Sequence, residues 1–370
     1  MYKKAKVTLW HFVLLSAVCS SLFLLNACQA PTDASLRFFK AQDARIRKVG
    51  RFFEGPQLAP TVYAPGAYIE FAFSGTTCEV LLQDEERYGK HNFIVYQIDQ
   101  QAPVRIQLKA AKNTLLLKAP KDEKQHWVRV CKASEATSGA ISLLGIRCEQ
   151  LHGVQAPKLL FEFIGDSITC GNGADAAEVS FGKGSWDAYH NAFLSYGALL
   201  SRALGTDWRL SAVSGIGMAS SCCGLRYQMP EVYDQIGFTT YRKPLKFSKQ
   251  RQPTAVFVTL GQNDRLRSAV AQKRYERAYL KFLKRLRNYY PKATFICCNS
   301  PMATAQDKAL QNQCIRKVSQ QFKQSTDTLI HTFAYQGIYR GGNDKHPTIA
   351  QHRLIMQELK GFVKNAGLFP

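Results

Sequence analysis

Four short segments of this 370-residue chain carry residue types that together can perform acyl transfer. The first is Gly165-Asp166-Ser167, at the end of an apolar run over 159–164. A serine on a tight turn at the carboxyl end of a strand can be a nucleophile, with nearby main-chain N–H groups to hold the oxyanion of a tetrahedral intermediate. The same serine could simply cap a helix. The second segment, Val213-Ser214-Gly215-Ile216-Gly217, offers flexible backbone, with the Gly215 N–H as a further donor. The third, Gly261-Gln262-Asn263-Asp264, brings the Asn263 amide. The last, running from Gly341 through Asp344 to His346-Pro347, supplies an imidazole of near-neutral pKa suited to general-base work. A nucleophile, a base and three oxyanion donors (the N–H groups of Ser167 and Gly215, and Asn263) describe one site.

These segments need a scaffold that gathers them. From residue 155 on, apolar runs at 159–164, 209–213, 255–260, 294–298 and 328–333 alternate with helical periodicities at 191–204, 271–289, 305–321 and 348–366. That rhythm predicts a parallel sheet with helices on both faces and active loops at the carboxyl ends of its strands. Residues 48–154 read differently, as short strands punctuated by Gly75, Asp99 and Gly139, and predict an all-β sandwich. Cys131 and Cys148 flank an expected hairpin turn near Ser138-Gly139 and are a candidate cross-strand disulfide. The adjacent pairs Cys222-Cys223 and Cys297-Cys298 read as buried apolar thiols.

The amino terminus reads as an address. Lys3, Lys4 and Lys6 precede a run without formal charge over 7–27, ending in Leu25-Asn26-Ala27-Cys28. Residues 1–27 are expected to be an export signal of lipoprotein type, Cys28 the lipidated, membrane-anchored residue and 28–47 a tether. The formal charge is +22 and stays strongly basic without the leader. Basic clusters such as the one over 242–251 permit a non-catalytic binder of acidic glycan, but no nucleic-acid-binding signature accompanies them, and no nucleic acid is expected. His91, His126, His152, His190, His331 and His352 lack paired metal spacing, so neither metal nor cofactor is expected. A monomer is expected.

The blocks Gly165-Asp166-Ser167, Gly215, Gly261-x-Asn263-Asp264 and Asp344-x-His346-Pro347 resemble those of SGNH hydrolases, also called GDSL esterases. Ahead of them, Arg47 to Arg51, Ile69 to Gly75 and Lys132-Ala133-Ser134-Glu135 resemble carbohydrate esterase family 2. The resemblance implies an α/β fold: a flavodoxin-like SGNH domain over 155–370, preceded by a jelly-roll-like β-sandwich over 48–154. It also implies removal of acetyl groups from carbohydrate of xylan or mannan type. By motif, Ser167 would be the nucleophile, His346 the base, and Ser167, Gly215 and Asn263 the oxyanion hole. The common SGNH pattern has Asp three residues before the histidine, where this chain has Asn343. Either Asp344, two residues before, or a backbone carbonyl would then orient His346, with Asn343 a lesser candidate. Trp186 and Asp264 are the candidate substrate contacts, and a non-carbohydrate ester is the other substrate class left open.

Overall fold

Period-two alternation decides how the first half of the chain folds. In the strand Tyr68–Asp84, Ile69, Phe71 and Phe73 point into a core shared with Val80, Leu82, Val128 and Ile146, while Tyr68 points the opposite way, towards Trp208. The computed structural model describes residues 36–369 apart from 123, 325 and 326. The expected export signal and Cys28 lie outside the described residues. No helix among the described residues is long and apolar enough to cross a membrane.

Tyr68–Asp84 organises the amino-terminal domain. Its first half pairs with His126–Lys132, its second with Lys112–Lys118, and Ile141–His152 runs antiparallel along its other edge. The bend between the halves folds one ten-stranded antiparallel sheet around a single core, the sandwich expected from the sequence.

Two expectations need correction here. The tether over 28–47 does not extend through its second half: Arg37–Lys40 pairs with Gly145–Cys148 of the long strand, and Ala41 and Ile46 are buried. Those apolar side chains find cover on an otherwise open strand edge. The Cys131–Cys148 disulfide is absent, because His126–Lys132 and Ile141–His152 do not form a hairpin; each pairs instead with Tyr68–Asp84. Cys148 faces Cys78 across the ladder. The connection between them leaves the sandwich, and its Ala136 and Ala140 pack with Ile216 and Met218 of the second domain.

The second domain is a parallel sheet of β1 (Leu160–Gly165), β2 (Asp207–Ala212), β3 (Ala255–Thr259), β4 (Thr294–Cys298) and β5 (Ile330–Phe333), in the spatial order 2-1-3-4-5. This is the flavodoxin-like arrangement. A four-residue helix α1 (Ser167–Cys170) follows β1, and longer helices α2 (Tyr196–Ala203), α3 (Ala269–Tyr289), α4 (Ala305–Lys323) and α5 (Ile349–Asn365) cover the faces. Alternation again assigns the sides. Val256, Val258 and Phe295 pack under α3 and α4, while Phe163, Phe257 and Ile296 pack under α2 and α5.

The sandwich is welded to the β2 edge of this sheet. Trp208 Nε1 donates to Gly66 O at 2.8 Å, and the buried Asp207 carboxylate accepts from Tyr68 Oη at 2.5 Å and from Arg47 at 2.7 Å. Buried Arg51 donates to Gln235 O at 2.9 Å. The two domains therefore form one compact unit.

Candidate active site

β1 ends on Gly165, where a Cβ would stand 2.0 Å from Thr169 Oγ1, so the turn into α1 closes only over a glycine. Asp166 caps α1, its Oδ1 accepting the Ile168 N–H at 3.0 Å. Burial pushes the Asp166 carboxyl up to about 7. Ser167 is the first residue of α1, so its N–H has no partner within the helix and points outward.

His346 is brought to Ser167 from 179 residues away, with Nε2 at 2.8 Å from Oγ. The two loops are tied through their backbones: the Asn343 N–H donates to Gly173 O at 2.9 Å and the Ile349 N–H to Ala174 O at 3.1 Å. Gly173, at φ 66°, makes this approach possible, since a Cβ there would lie 2.7 Å from that of His346. The other imidazole nitrogen, Nδ1, lies 3.1 Å from Asp344 O and 3.3 Å from Asn343 O. Carbonyl oxygens only accept, so Nδ1 carries the hydrogen and Nε2 turns its lone pair to the serine hydroxyl. Burial lowers the His346 pKa below its ordinary value, opposed by the Asp344 charge and the carbonyl contacts.

The oxyanion loop, 214–220, is clamped from several sides. Gly215 sits at φ 76°, and its carbonyl accepts the Cys222 N–H at 2.8 Å. Asn263 Nδ2 donates to Ile216 O at 2.8 Å, which fixes the amide and leaves its second hydrogen for another acceptor. The Ser167 and Gly215 N–H groups and the Asn263 amide thus stand on loops at the carboxyl ends of β1, β2 and β3.

Not every expected residue holds its expected place. The Asp344 carboxylate does not orient His346; the residue is exposed, and only its main-chain carbonyl meets the ring. Left-handed φ angles at Asp344 (50°) and Lys345 (58°) turn the chain so that carbonyls rather than a side chain face Nδ1. Asp264 is not available to substrate. Its buried carboxylate accepts the N–H groups of Met218, Ala219 and Ser220 at 2.9, 2.6 and 2.9 Å, so it braces the oxyanion loop from below. Burial raises its pKa against those three hydrogen bonds. Cys222 and Cys223 are joined by a disulfide between neighbours rather than being buried free thiols, with the Cys222 sulfur beside Gly215.

Trp186 is 38% exposed, its ring edge-on to buried His190 with centroids 4.0 Å apart. Its turn, Trp186–Tyr189, borders the nucleophile loop, because Tyr189 O accepts the N–H groups of Ala174 and Asp175. Asn343, the lesser candidate to orient the ring, meets it through its carbonyl, while its Oδ1 accepts the Gly182 N–H at 2.9 Å. Among the described residues, no cluster of side chains has the makings of a metal site.

A 2-1-3-4-5 parallel sheet, with a serine and an imidazole in contact above its carboxyl edge and N–H donors on the neighbouring loops, defines an α/β protein of serine-hydrolase design. The chain belongs to the GDSL-like lipase/acylhydrolase family, whose model matches residues 163–354, and the carbohydrate esterase 2 N-terminal model matches residues 48–157, giving the two-part architecture of carbohydrate esterase family 2. It is similar to the cellulase/esterase CelE of Acetivibrio thermocellus, with 28% identity over 325 residues; the match covers 85% of this chain, which spans only 39% of that relative's length. An acetylxylan esterase / glucomannan deacetylase of Cellvibrio japonicus is 24% identical over 344 residues, 91% of this chain and 94% of that protein. Among solved structures, a family two carbohydrate esterase from Clostridium thermocellum in complex with cellohexaose superposes with a TM-score of 0.76 at 27% identity, covering 88% of this chain and all of the other.

Proposed function

We propose that the protein is a carbohydrate esterase that removes O-acetyl groups from a polysaccharide or oligosaccharide of xylan or mannan type through an acyl-enzyme. Ser167 Oγ attacks the acetyl carbonyl while His346 Nε2 takes its proton, and the oxyanion settles on the Ser167 and Gly215 N–H groups and the Asn263 amide. Collapse expels the sugar oxygen, which leaves with the proton held on Nε2. Water then gives a proton to the same nitrogen and attacks the acyl carbon, releasing acetate and restoring Ser167. Asp344 serves through its carbonyl, so the working unit is a dyad. Trp186, half-exposed beside the nucleophile loop, is the stacking surface for a sugar ring.

The observation that carries this reading is the 2.8 Å contact between Ser167 Oγ and His346 Nε2. The relatives named above as a cellulase/esterase and as an acetylxylan esterase / glucomannan deacetylase support the substrate class. Acetate release from acetylated xylan and glucomannan, and hydrolysis of p-nitrophenyl acetate, test it by comparing wild type with Ser167→Ala. Equal rates for the two proteins refute it. A fluorophosphonate adduct on Ser167 in the wild type, without acetate release from any acetylated saccharide, points instead to a non-carbohydrate ester. The proposal extends to an exported lipoprotein, resting on the basic leader and Leu25-Asn26-Ala27-Cys28. Incorporation of an alkyne-tagged fatty acid in expressing cells, abolished in Cys28→Ser, is the expected result.

A further inference from the structure

The residues that aim the oxyanion loop do not all belong to the catalytic domain. Lys132 ends a sandwich strand, Ser134 donates to Asn92 of the sandwich at 2.5 Å, and Glu135 reaches across to the second domain; all three are buried. Lys132 Nζ knots this turn by donating to Glu135 O at 2.7 Å, Ser134 O at 3.0 Å and Ser134 Oγ at 3.3 Å. Ala133 O accepts the Ala192 N–H at 3.0 Å, so the turn is also fixed to the far side of the nucleophile loop. Held in this way, the Glu135 carboxylate accepts the Ser214 N–H at 2.9 Å through Oε2 and the Thr137 hydroxyl at 2.9 Å through Oε1. It also lies against the thiol of Cys170, the last residue of α1, whose pKa is pushed up by burial and then by the carboxylate.

Ser214 immediately precedes Gly215, and the Gly215 N–H lies in the peptide plane that joins them. Glycine at φ 76° imposes little direction of its own, so neighbouring contacts must set that plane. Downstream, the Cys222 N–H and Asn263 amide hold Gly215 O and Ile216 O. Upstream, Glu135 holds the Ser214 N–H, while Asn172 Nδ2 donates to Ser214 Oγ. Burying a carboxylate is costly where apolar packing would join two domains equally well, which singles out the hydrogen bond as what Glu135 supplies here.

We propose that Glu135, contributed by the amino-terminal β domain, is a positioning residue that sets the direction of the Gly215 N–H through its hold on Ser214, making the sandwich an integral part of the oxyanion hole. This inference rests on the esterase reading. Misplacing one donor should show in kcat rather than KM, by about 10-fold to 100-fold, below the 100-fold to 1000-fold typical of removing a donor outright.

The test compares Glu135→Ala, Glu135→Gln and Glu135→Asp in the full chain, using p-nitrophenyl acetate with thermal unfolding as the fold control. Glu135→Ala is expected to lose about 10-fold to 100-fold in kcat with KM within about threefold, and Glu135→Gln, whose amide oxygen can still accept the Ser214 N–H, to recover most of it. A folded Ala variant with unchanged kcat, or a Gln variant as slow as Ala, overturns the inference. Should Ala not fold, Asp decides, because its shorter side chain withdraws the acceptor: a kcat loss supports the inference and an unchanged kcat overturns it. An inactive wild type brings down the functional reading as well, whereas an active wild type with indifferent Glu135 variants brings down this inference alone.

Discussion

Asp344→Asn separates a dyad from a triad. Asparagine tolerates the left-handed conformation that residue 344 adopts at φ 50°, so the backbone that presents the carbonyls of 343 and 344 to His346 should survive. The carboxylate is exposed and makes no hydrogen bond to the ring among the described contacts. Its remaining influence is a charge acting largely through solvent, of order 0.5–1 kcal/mol. That corresponds to less than about one pH unit on the imidazole. The sign follows from its direction: the Asp344 charge raises the His346 pKa, so neutralising it lowers that pKa further and keeps Nε2 unprotonated to lower pH. The acid limb of kcat/KM, which reports the free enzyme, should therefore move to lower pH by less than about a unit, with kcat at pH 7–8 within about threefold of wild type. A carboxylate that oriented the ring would be worth about 10 000-fold in kcat. A fall of 100-fold or more, in a variant that melts close to wild type, would refute the dyad.

Asp264→Ala should remove the acceptor of three N–H groups and cost about 3 kcal/mol or more of unfolding free energy in denaturant titrations; an altered KM at unchanged stability would instead return Asp264 to the substrate. Gly173→Ala places a side chain at φ 66°, a strain of about 1–2 kcal/mol, and pushes its Cβ against His346. Displacing the base by about 1 Å should lower kcat about 100-fold, and unaltered kinetics would show that the loops meet differently. Peptide mapping after denaturation and alkylation without reductant should leave Cys222 and Cys223 unmodified while Cys78, Cys131, Cys148, Cys170, Cys297, Cys298 and Cys314 react. Alkylation of Cys222 would remove the disulfide from the structure.

The scaffold was legible because burial writes itself into periodicity. Phe161, Phe163 and Ile164 of β1 and Ala255 to Val258 of β3 form the near-continuous apolar runs of strands enclosed on both faces, and Tyr275, Tyr279, Phe282 and Leu286 share the one buried face of α3. Ser167 and His346 were legible as residue types at the ends of such runs. What was hidden depended on contacts between distant segments. Nothing local to Asp264 distinguishes a carboxylate that accepts three backbone N–H groups from one that faces a substrate. Nothing local to Cys131 reveals that the chain after it leaves the sandwich instead of turning back. That Asn343 and Asp344 meet the ring through their carbonyls could be named only as one alternative, because a main-chain carbonyl has no residue type; the left-handed pair Asp344-Lys345 is what turns them to it.

Replacing a triad carboxylate with two carbonyl oxygens changes what the base can do. Carbonyls accept from Nδ1 and so select the tautomer and hold the ring, the part of the carboxylate's work that geometry alone performs. They bring no full negative charge, so the imidazolium that the proposed mechanism forms in its transition state would gain less stabilisation than beside a buried aspartate. The same lack leaves burial as the largest influence on His346 and keeps its pKa below the ordinary histidine value, where a neighbouring buried carboxylate would have raised it. Nε2 therefore remains unprotonated to lower pH than in an ordinary histidine, and a weaker proton acceptor is exchanged for one that stays available further down in pH. In the proposed mechanism the oxyanion donors would then carry more of the transition-state charge, which is consistent with a loop held by Asp264, Asn263, Asn172 and, from the other domain, Glu135.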